Sequence, residues 1–299
     1  MGKWLHQSKI NRKDWDTLVQ KSKFPSIFTF SYYIDATAEN WCAFVDDGFN
    51  YAIPVAYTKK LGIECVYPPF FHRAMGPIGN IDKIDWNDFQ SELLSRFPRG
   101  TYHLDDDYLN IEDKEALVYQ VLTKRNFKLK DNPKRNIKKF EKSTLRLKNN
   151  VDGEDLTKLI VSLLSDKLEF YNTDESKSIY NLVKQAELDG SLITLGIMNG
   201  HSLEGGLIAI QSEQTILYLK GACSDEAMNQ GAMYAAMNKL ITSTFEKNYS
   251  FDFGGSRIEG VRFFNTRFSG SDEVYFKYSW ENGPLWFKTL QQLRKWTKK

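Results

Sequence analysis

The stretch from Ile216 to Trp280 constrains this 299-residue chain most. Its pattern predicts a strand, a polar loop, a long helix, a second strand, a Gly-Gly break, a short amphipathic helix and a final strand. In the first strand, alternation puts Ile216, Tyr218 and Lys220 on one face and Leu217 and Leu219 on the other. Cys223-Ser224-Asp225-Glu226 supplies N-cap candidates for a helix over 227–247. That helix carries Gly231, Ala232, Ala235 and Ala236 on one side, small enough to let a neighbour approach closely. Ser250-Phe251-Asp252-Phe253 predicts the second strand, and Gly254-Gly255 ends it.

The rest of the chain agrees with a folded, mixed α/β protein. Aromatic residues are plentiful at 14%, which argues for substantial cores and against disorder. A formal net charge of +2 gives no bulk attraction to nucleic acid or membrane, so any such preference must come from a local patch. The three cysteines, Cys42, Cys65 and Cys223, lie far apart and suggest neither a metal site nor a disulfide framework. No apolar run approaches the roughly 20 residues that span a bilayer, and the N-terminus lacks a signal-peptide pattern. The expected location is cytoplasmic, with no membrane insertion.

In chain order, a helix is expected over 11–23, with Trp15, Leu18 and Val19 inward. A hairpin of Trp41–Val45 and Tyr51–Tyr57 turns at Asp46-Asp47-Gly48. A short strand over 63–67, a helix over 84–97 and strands at 102–104 and 118–122 complete a first α/β unit. Residues 124–148 are strongly basic, with a helix expected near 133–142. Two helices follow, at 152–167 and 174–188. A three-stranded meander (192–198, 203–211, 215–220) then turns at Asn199-Gly200, a strong hairpin signal. The tail from Pro284 on reads as an amphipathic helix. The expected domains are 1–145 and 146–299.

The order of elements in the second half is that of the GNAT N-acetyltransferase fold, and the first half has a looser version of the same rhythm. Three stretches resemble the FemAB-like family of two tandem acyltransferase domains. PKRNIKKFEKSTLRL at 133–147 is similar to its basic segment. YLKGACSDEAMNQGAMYAAMNKLITSTFEKNYSFDFGGS at 218–256 is similar to its strand–helix–strand core. IEGVRFFNTRFSG at 258–270 is similar to the segment that follows. The resemblance implies two tandem GNAT-like domains, the first degenerate. It also implies transfer of an acyl or aminoacyl group, from acyl-CoA or aminoacyl-tRNA, to an amine of a small molecule or cell-wall precursor. The chain departs from the family where Phe264-Asn265 replaces the usual Phe-Lys. Asn229-Gln230-Gly231-Ala232 is also only a fragment of a pyrophosphate loop.

Each candidate residue has two readings. Gln230, Gly231 and Ala232 either receive a pyrophosphate at a helix N-terminus or let the helix pack on a sheet. Asp252 either polarises the attacking amine or orients a base, or it caps the next helix or pairs with Arg257. Tyr218 and Lys220 either face a donor channel, with Tyr218 protonating the leaving group, or mark a strand end where Lys220 reaches water. Arg257 and Arg262 either grip a phosphate or carboxylate of the acceptor or form surface ion pairs. Arg135, Lys138 and Lys139 either contact phosphate, with tRNA as a candidate partner, or form a solvated basic face. No metal ligand set and no covalently bound cofactor is expected. The four histidines have no nucleophile or metal partner at motif spacing, which disfavours a histidine-dependent hydrolase. The competing reading of the whole chain is a non-catalytic FemAB-like protein that binds a phosphate-bearing ligand or partner.

Overall fold

A computed structural model describes residues 2–165, 173–255 and 259–284. The tail helix and Arg257 expected from the sequence lie outside these residues. The chain divides into two compact units: residues up to Leu117 together with those from Val274 on, and Val118–Glu273.

In chain order the elements are β1 (Lys3–His6), α1 (Arg12–Lys21), α2 (Ser31–Thr37), β2 (Asn40–Val45), β3 (Tyr51–Lys60), β4 (Ile63–Val66) and β5 (Ile78–Gly79). Next come α3 (Trp86–Arg96), β6 (Arg99–Leu104), β7 (Asp113–Leu122), α4 (Asp131–Glu141), β8 (Arg146–Asn149), α5 (Gly153–Ser165) and α6 (Thr173–Asp189). The chain continues through β9 (Leu192–Asn199), β10 (Ser202–Ser212), β11 (Thr215–Cys223), α7 (Asp225–Asn229), α8 (Ala232–Glu246), β12 (Ser250–Asp252), α9 (Glu259–Asn265) and β13 (Ser271–Glu281).

In the first unit the sheet runs β1-β2-β3-β4-β6-β13, with β5 paired to β3. The β2–β3 hairpin turns where expected, because the Asp46 carboxylate accepts the backbone N–H groups of Asn50 at 2.6 Å and Tyr51 at 3.3 Å. Local capping sets the helix starts. Asn11 accepts from the amides of Lys13 and Asp14 to begin α1, and Asp85 accepts from those of Asn87 and Asp88 to begin α3. Trp15, Trp41, Phe44, Phe89 and Phe97 are fully buried in the core. β13 closes that core, since Trp280 donates its indole N–H to the Phe97 carbonyl at 2.6 Å.

In the second unit the sheet order is β7-β12-β11-β10-β9-β8. The meander is antiparallel as expected, and β12 lies parallel to β11. Two local expectations are corrected. The regular alternation through β11 is interrupted, because Ile208 faces Lys220 while Ala209 faces Tyr218, leaving Leu219 as the extra residue of a bulge. The long helix expected over 227–247 is two helices, α7 and α8, broken at Gln230-Gly231. Gly231 has φ +80°, and a Cβ there would stand 2.2 Å from the backbone oxygen of Asn136 on α4. Close packing of α4 over this point requires both the break and the glycine.

Candidate active site in the second unit

β11 and β12 pair only over Thr215–Leu217 and Ser250–Asp252. Beyond Leu217, no described strand pairs with β11 on the β12 side. Tyr218, Leu219, Lys220 and Gly221 are all half-buried there, between the buried pairs Ile216-Leu217 and Ala222-Cys223. The two strands part at this point because the chain turns sharply after Asp252. One Asp252 carboxylate oxygen accepts the Gly254 N–H at 2.7 Å, and Gly254 and Gly255 take φ +75° and +79°. A Cβ on Gly254 would stand 2.9 Å from the Tyr218 carbonyl oxygen, so only glycine allows the turn to lie so close to β11. The result is a notch floored by β11 and walled by the Gly254-Gly255 turn, with Tyr119 of β7 beside Gly255.

The bulge overturns the expected shared face of Tyr218 and Lys220: Tyr218 stands beside Ala209 on the face that packs on α8, whereas Lys220 beside Ile208 and Asp252 beside Leu217 lie on the opposite face of the sheet. Asp252 is buried and shapes the turn through its bond to Gly254. Tyr218 keeps an exposed edge, but its hydroxyl lies deep, and burial pushes its pKa well above the usual phenol range. It therefore stays protonated at neutral pH. Lys220 is mostly covered rather than ending a strand in open water. Its ammonium donates to Glu175 of α6 at 2.6 Å, and both side chains are only 21% exposed. Glu175 is a site residue the sequence reading missed. Its only sequence signal is that a lysine on a central strand needs a partner.

The remaining candidates separate. Gln230, Gly231 and Ala232 lie at the α7–α8 break, with Gly231 and Ala232 buried and α4 packed over the glycine. Arg135 is exposed and lines a basic hollow at the start of α4, together with Lys130 and Arg267. Lys138 and Lys139 are exposed in the last turn of α4, away from that hollow, where they suit the negative end of the helix dipole. Arg262 is exposed in the last turn of α9. Asn265, which stands where the resemblance implies a lysine, is fully buried, and neither polar atom of its amide has a hydrogen-bond partner among the described residues. Among the described residues, no helix is long and apolar enough to cross a membrane, and no group of three or more His, Cys, Asp or Glu residues is placed to hold a metal.

No protein-family model matches the sequence, and no curated protein matches it. Solved structures do resemble it. FemX superposes with a TM-score of 0.66 at 11% identity, covering 97% of this chain and 99% of FemX. L-PGS from Bacillus licheniformis superposes with a TM-score of 0.58 at 12% identity, covering 95% and 96% of the two chains. A tandem GNAT protein from the clavulanic acid biosynthesis pathway gives a TM-score of 0.50 at 10% identity, covering 95% and 99%. The fold is therefore FemAB-like: a mixed α/β architecture of the tandem GNAT type.

Proposed function

We propose that this protein is an acyltransferase, moving an acyl or aminoacyl group from a thioester or tRNA ester to an amine at the β11–β12 notch. The observation that carries this reading is the parting of β11 and β12 after Leu217, which exposes a strand edge beside a two-glycine turn. An extended donor can lie along such an edge and hydrogen-bond to its backbone. The likeness to FemX and a tandem GNAT protein supports the reading at the level of fold, which alone does not select a reaction.

In the proposed reaction a neutral amine attacks the donor carbonyl carbon. The new C–N bond forms, and the carbonyl electrons move to oxygen. Backbone N–H groups of β11 near the bulge at Leu219 stabilise that oxyanion, the kind of preorganised interaction that supplies much of enzymatic rate. Collapse breaks the acyl–S or acyl–O bond. The nitrogen gives up its extra proton to Asp252, and the leaving group takes a proton from water, because Tyr218 lies on the other face of the sheet. Lys220, fixed by Glu175, places a positive charge beside the developing anion. The packing of Asn136 over Gly231 closes the approach that a CoA pyrophosphate would take at the start of α8. This favours an aminoacyl-tRNA ester over acyl-CoA as the donor.

A thermal-shift series with acetyl-CoA, longer acyl-CoAs and aminoacyl-tRNA tests the donor. A donor at a hundred times its Kd raises stability by about 2.7 kcal/mol. The Gly255→Asn variant introduces a residue type that tolerates the left-handed backbone of Gly255 and directs a side chain into the notch, where Tyr119 is the nearest neighbour. It should stay folded by circular dichroism but lose the donor-induced shift and all label transfer to amines. If no donor shifts the protein, or if Gly255→Asn transfers as well as the parent, the reading fails. If a donor binds and no label reaches any amine, the protein is a binding module. Asn265 in place of a lysine is the observation that favours this second reading.

A further inference from the structure

The second unit holds a second feature that the transfer reaction does not use. An open cavity of about 560 Å³ lies between the start of α4 and the turn at Arg267. Lys128, Lys130, Lys134, Arg135 and Arg267 line it, with Asp131 as the single carboxylate. Asp131 lies 3.4 Å from Lys134, and both are exposed, so this pair neutralises little. Among the described residues, Lys128, Lys130, Arg135 and Arg267 have no carboxylate within ion-pair distance.

The fold gathers these charges by design of the backbone. Phe127 and Leu129 pack against the core of the unit, so alternation turns Lys128 and Lys130 the other way. The amides of Lys128 and Lys130 donate to the carbonyls of Phe268 and Arg267 at 3.4 and 3.3 Å, and the Ser269 hydroxyl donates to the Lys128 carbonyl at 3.0 Å. These bonds tie the lysines to the turn that carries Arg267. The Arg267 guanidinium stacks over Phe263 at 4.0 Å, and its Nε is buried with no hydrogen-bond acceptor among the described residues. A stacked arginine with an unused buried donor is preorganised for a two-pronged bond to an oxyanion. Lys130 is also the N-cap of α4, and its side chain makes no capping hydrogen bond, so the positive end of the helix opens on the same cavity.

We infer that this cavity is a binding site for a ligand carrying two adjacent phosphate groups. Five cationic side chains around one hollow, against a single carboxylate already paired with Lys134, outnumber the charge of one phosphate. Lining lysines and arginines that repel one another are relieved by a polyanion more than by a single charge. Two sources share this chemistry: a nucleotide diphosphate and consecutive phosphodiesters of an RNA strand. The site lies five residues before Asn136 on α4, or about 7–8 Å along the helix at 1.5 Å per residue. The phosphate-attracting surface is thus displaced from the covered Gly231 to the N-terminus of α4. The inference does not depend on transfer chemistry, because inorganic pyrophosphate has no acyl group.

The test is calorimetric titration of the full chain with inorganic pyrophosphate, in parallel with ADP and with a 5′-phosphorylated single-stranded RNA oligonucleotide. Pyrophosphate should bind, and its affinity should fall with added salt. Arg267→Gln and Lys130→Gln should each weaken it at least tenfold, whereas Lys184→Gln on the exposed face of α6 should not. The same sensitivity with ADP assigns the site to a nucleotide diphosphate, and with the oligonucleotide to RNA. The inference is overturned if pyrophosphate does not bind, or if all three variants weaken it equally, as diffuse charge would. Circular dichroism of Arg267→Lys, which keeps the charge and loses the fork, separates unfolding from lost recognition. A folded Arg267→Lys that binds like the parent also overturns the assignment of Arg267.

Discussion

His72 is held neutral by its surroundings. Its ring packs against Phe28 and Tyr33, and Nε2 lies 2.6 Å from the Thr37 hydroxyl. Burial, aided by the positive charge His103 can carry, lowers its pKa to about 3. The unfolded chain takes up this proton near the ordinary value of about 6.5, while the folded chain resists it. Stability from this group is therefore complete above about pH 6.5 and falls as pH drops toward 3, by up to about 1.4 kcal/mol per unit. Urea unfolding followed between pH 4.5 and 6.5 should show this slope in the parent, and His72→Gln should flatten it. The depressed carboxyls Asp46, Asp47 and Asp107 act lower, below the ordinary carboxylate range, so they do not imitate it. At this scale the sequence is partly legible. A lysine on this strand had to find a partner, but simple alternation put Tyr218 and Lys220 on one face, and the bulge at Leu219 turns them to opposite faces. That the partner is Glu175, 45 positions earlier, depends on how α6 lies over the sheet. The orphaned amide of Asn265 was equally invisible, since burial of a polar group is a property of packing.

Among the elements, the α7–α8 break shows where periodicity misleads. Residues 227–247 carry a continuous helical pattern, and a lone glycine inside such a pattern is normally tolerated. Here the positive φ of Gly231 and the contact with Asn136 turn it into a boundary. Gly231→Ala should lose at least about 1–2 kcal/mol from the left-handed backbone alone, and more from the clash with the α4 carbonyl. Denaturant midpoints would measure this, and an unchanged midpoint would mean that α4 yields easily. The hairpin at Asn199-Gly200 and the Asp46 turn were legible because short-range hydrogen bonds and turn residues decide them. The bulge at Leu219 was not, because it exists only relative to β10. The basic run at 124–148 was obvious as composition. Its division into the cavity-lining Lys128, Lys130, Lys134 and Arg135 and the outlying Lys138 and Lys139 required the start of α4 and the distant Arg267.

At the scale of the molecule, a formal net charge of +2 conceals the basic cavity, since averages over 299 residues cancel local concentrations. The chain path also makes the two units unequal. The second is a continuous segment, Val118–Glu273, while the first needs residues from both sides of it. Tryptophan distinguishes them, because Trp4, Trp15, Trp41, Trp86 and Trp280 belong to the first unit and 118–273 contains none. Trp280→Ala removes a buried ring and its bond to Phe97, a class of change that typically loses about 3–5 kcal/mol. The tryptophan-fluorescence transition should move to lower denaturant by a corresponding amount. Pyrophosphate binding, carried by the second unit, should persist where that fluorescence has already changed. Joint loss of both signals would mean that the units unfold together.

Tyr278 and Trp280, core residues of the first unit, are translated only after the whole of Val118–Glu273. A ribosome working at about 5–20 residues per second takes roughly 10–30 seconds to add Val118–Glu273 after Leu117. Throughout that interval the nascent beginning of the protein carries a sheet edge with no β13 to cover it. The inserted segment can finish folding first, so the strand that completes the first unit's sheet joins it only afterwards.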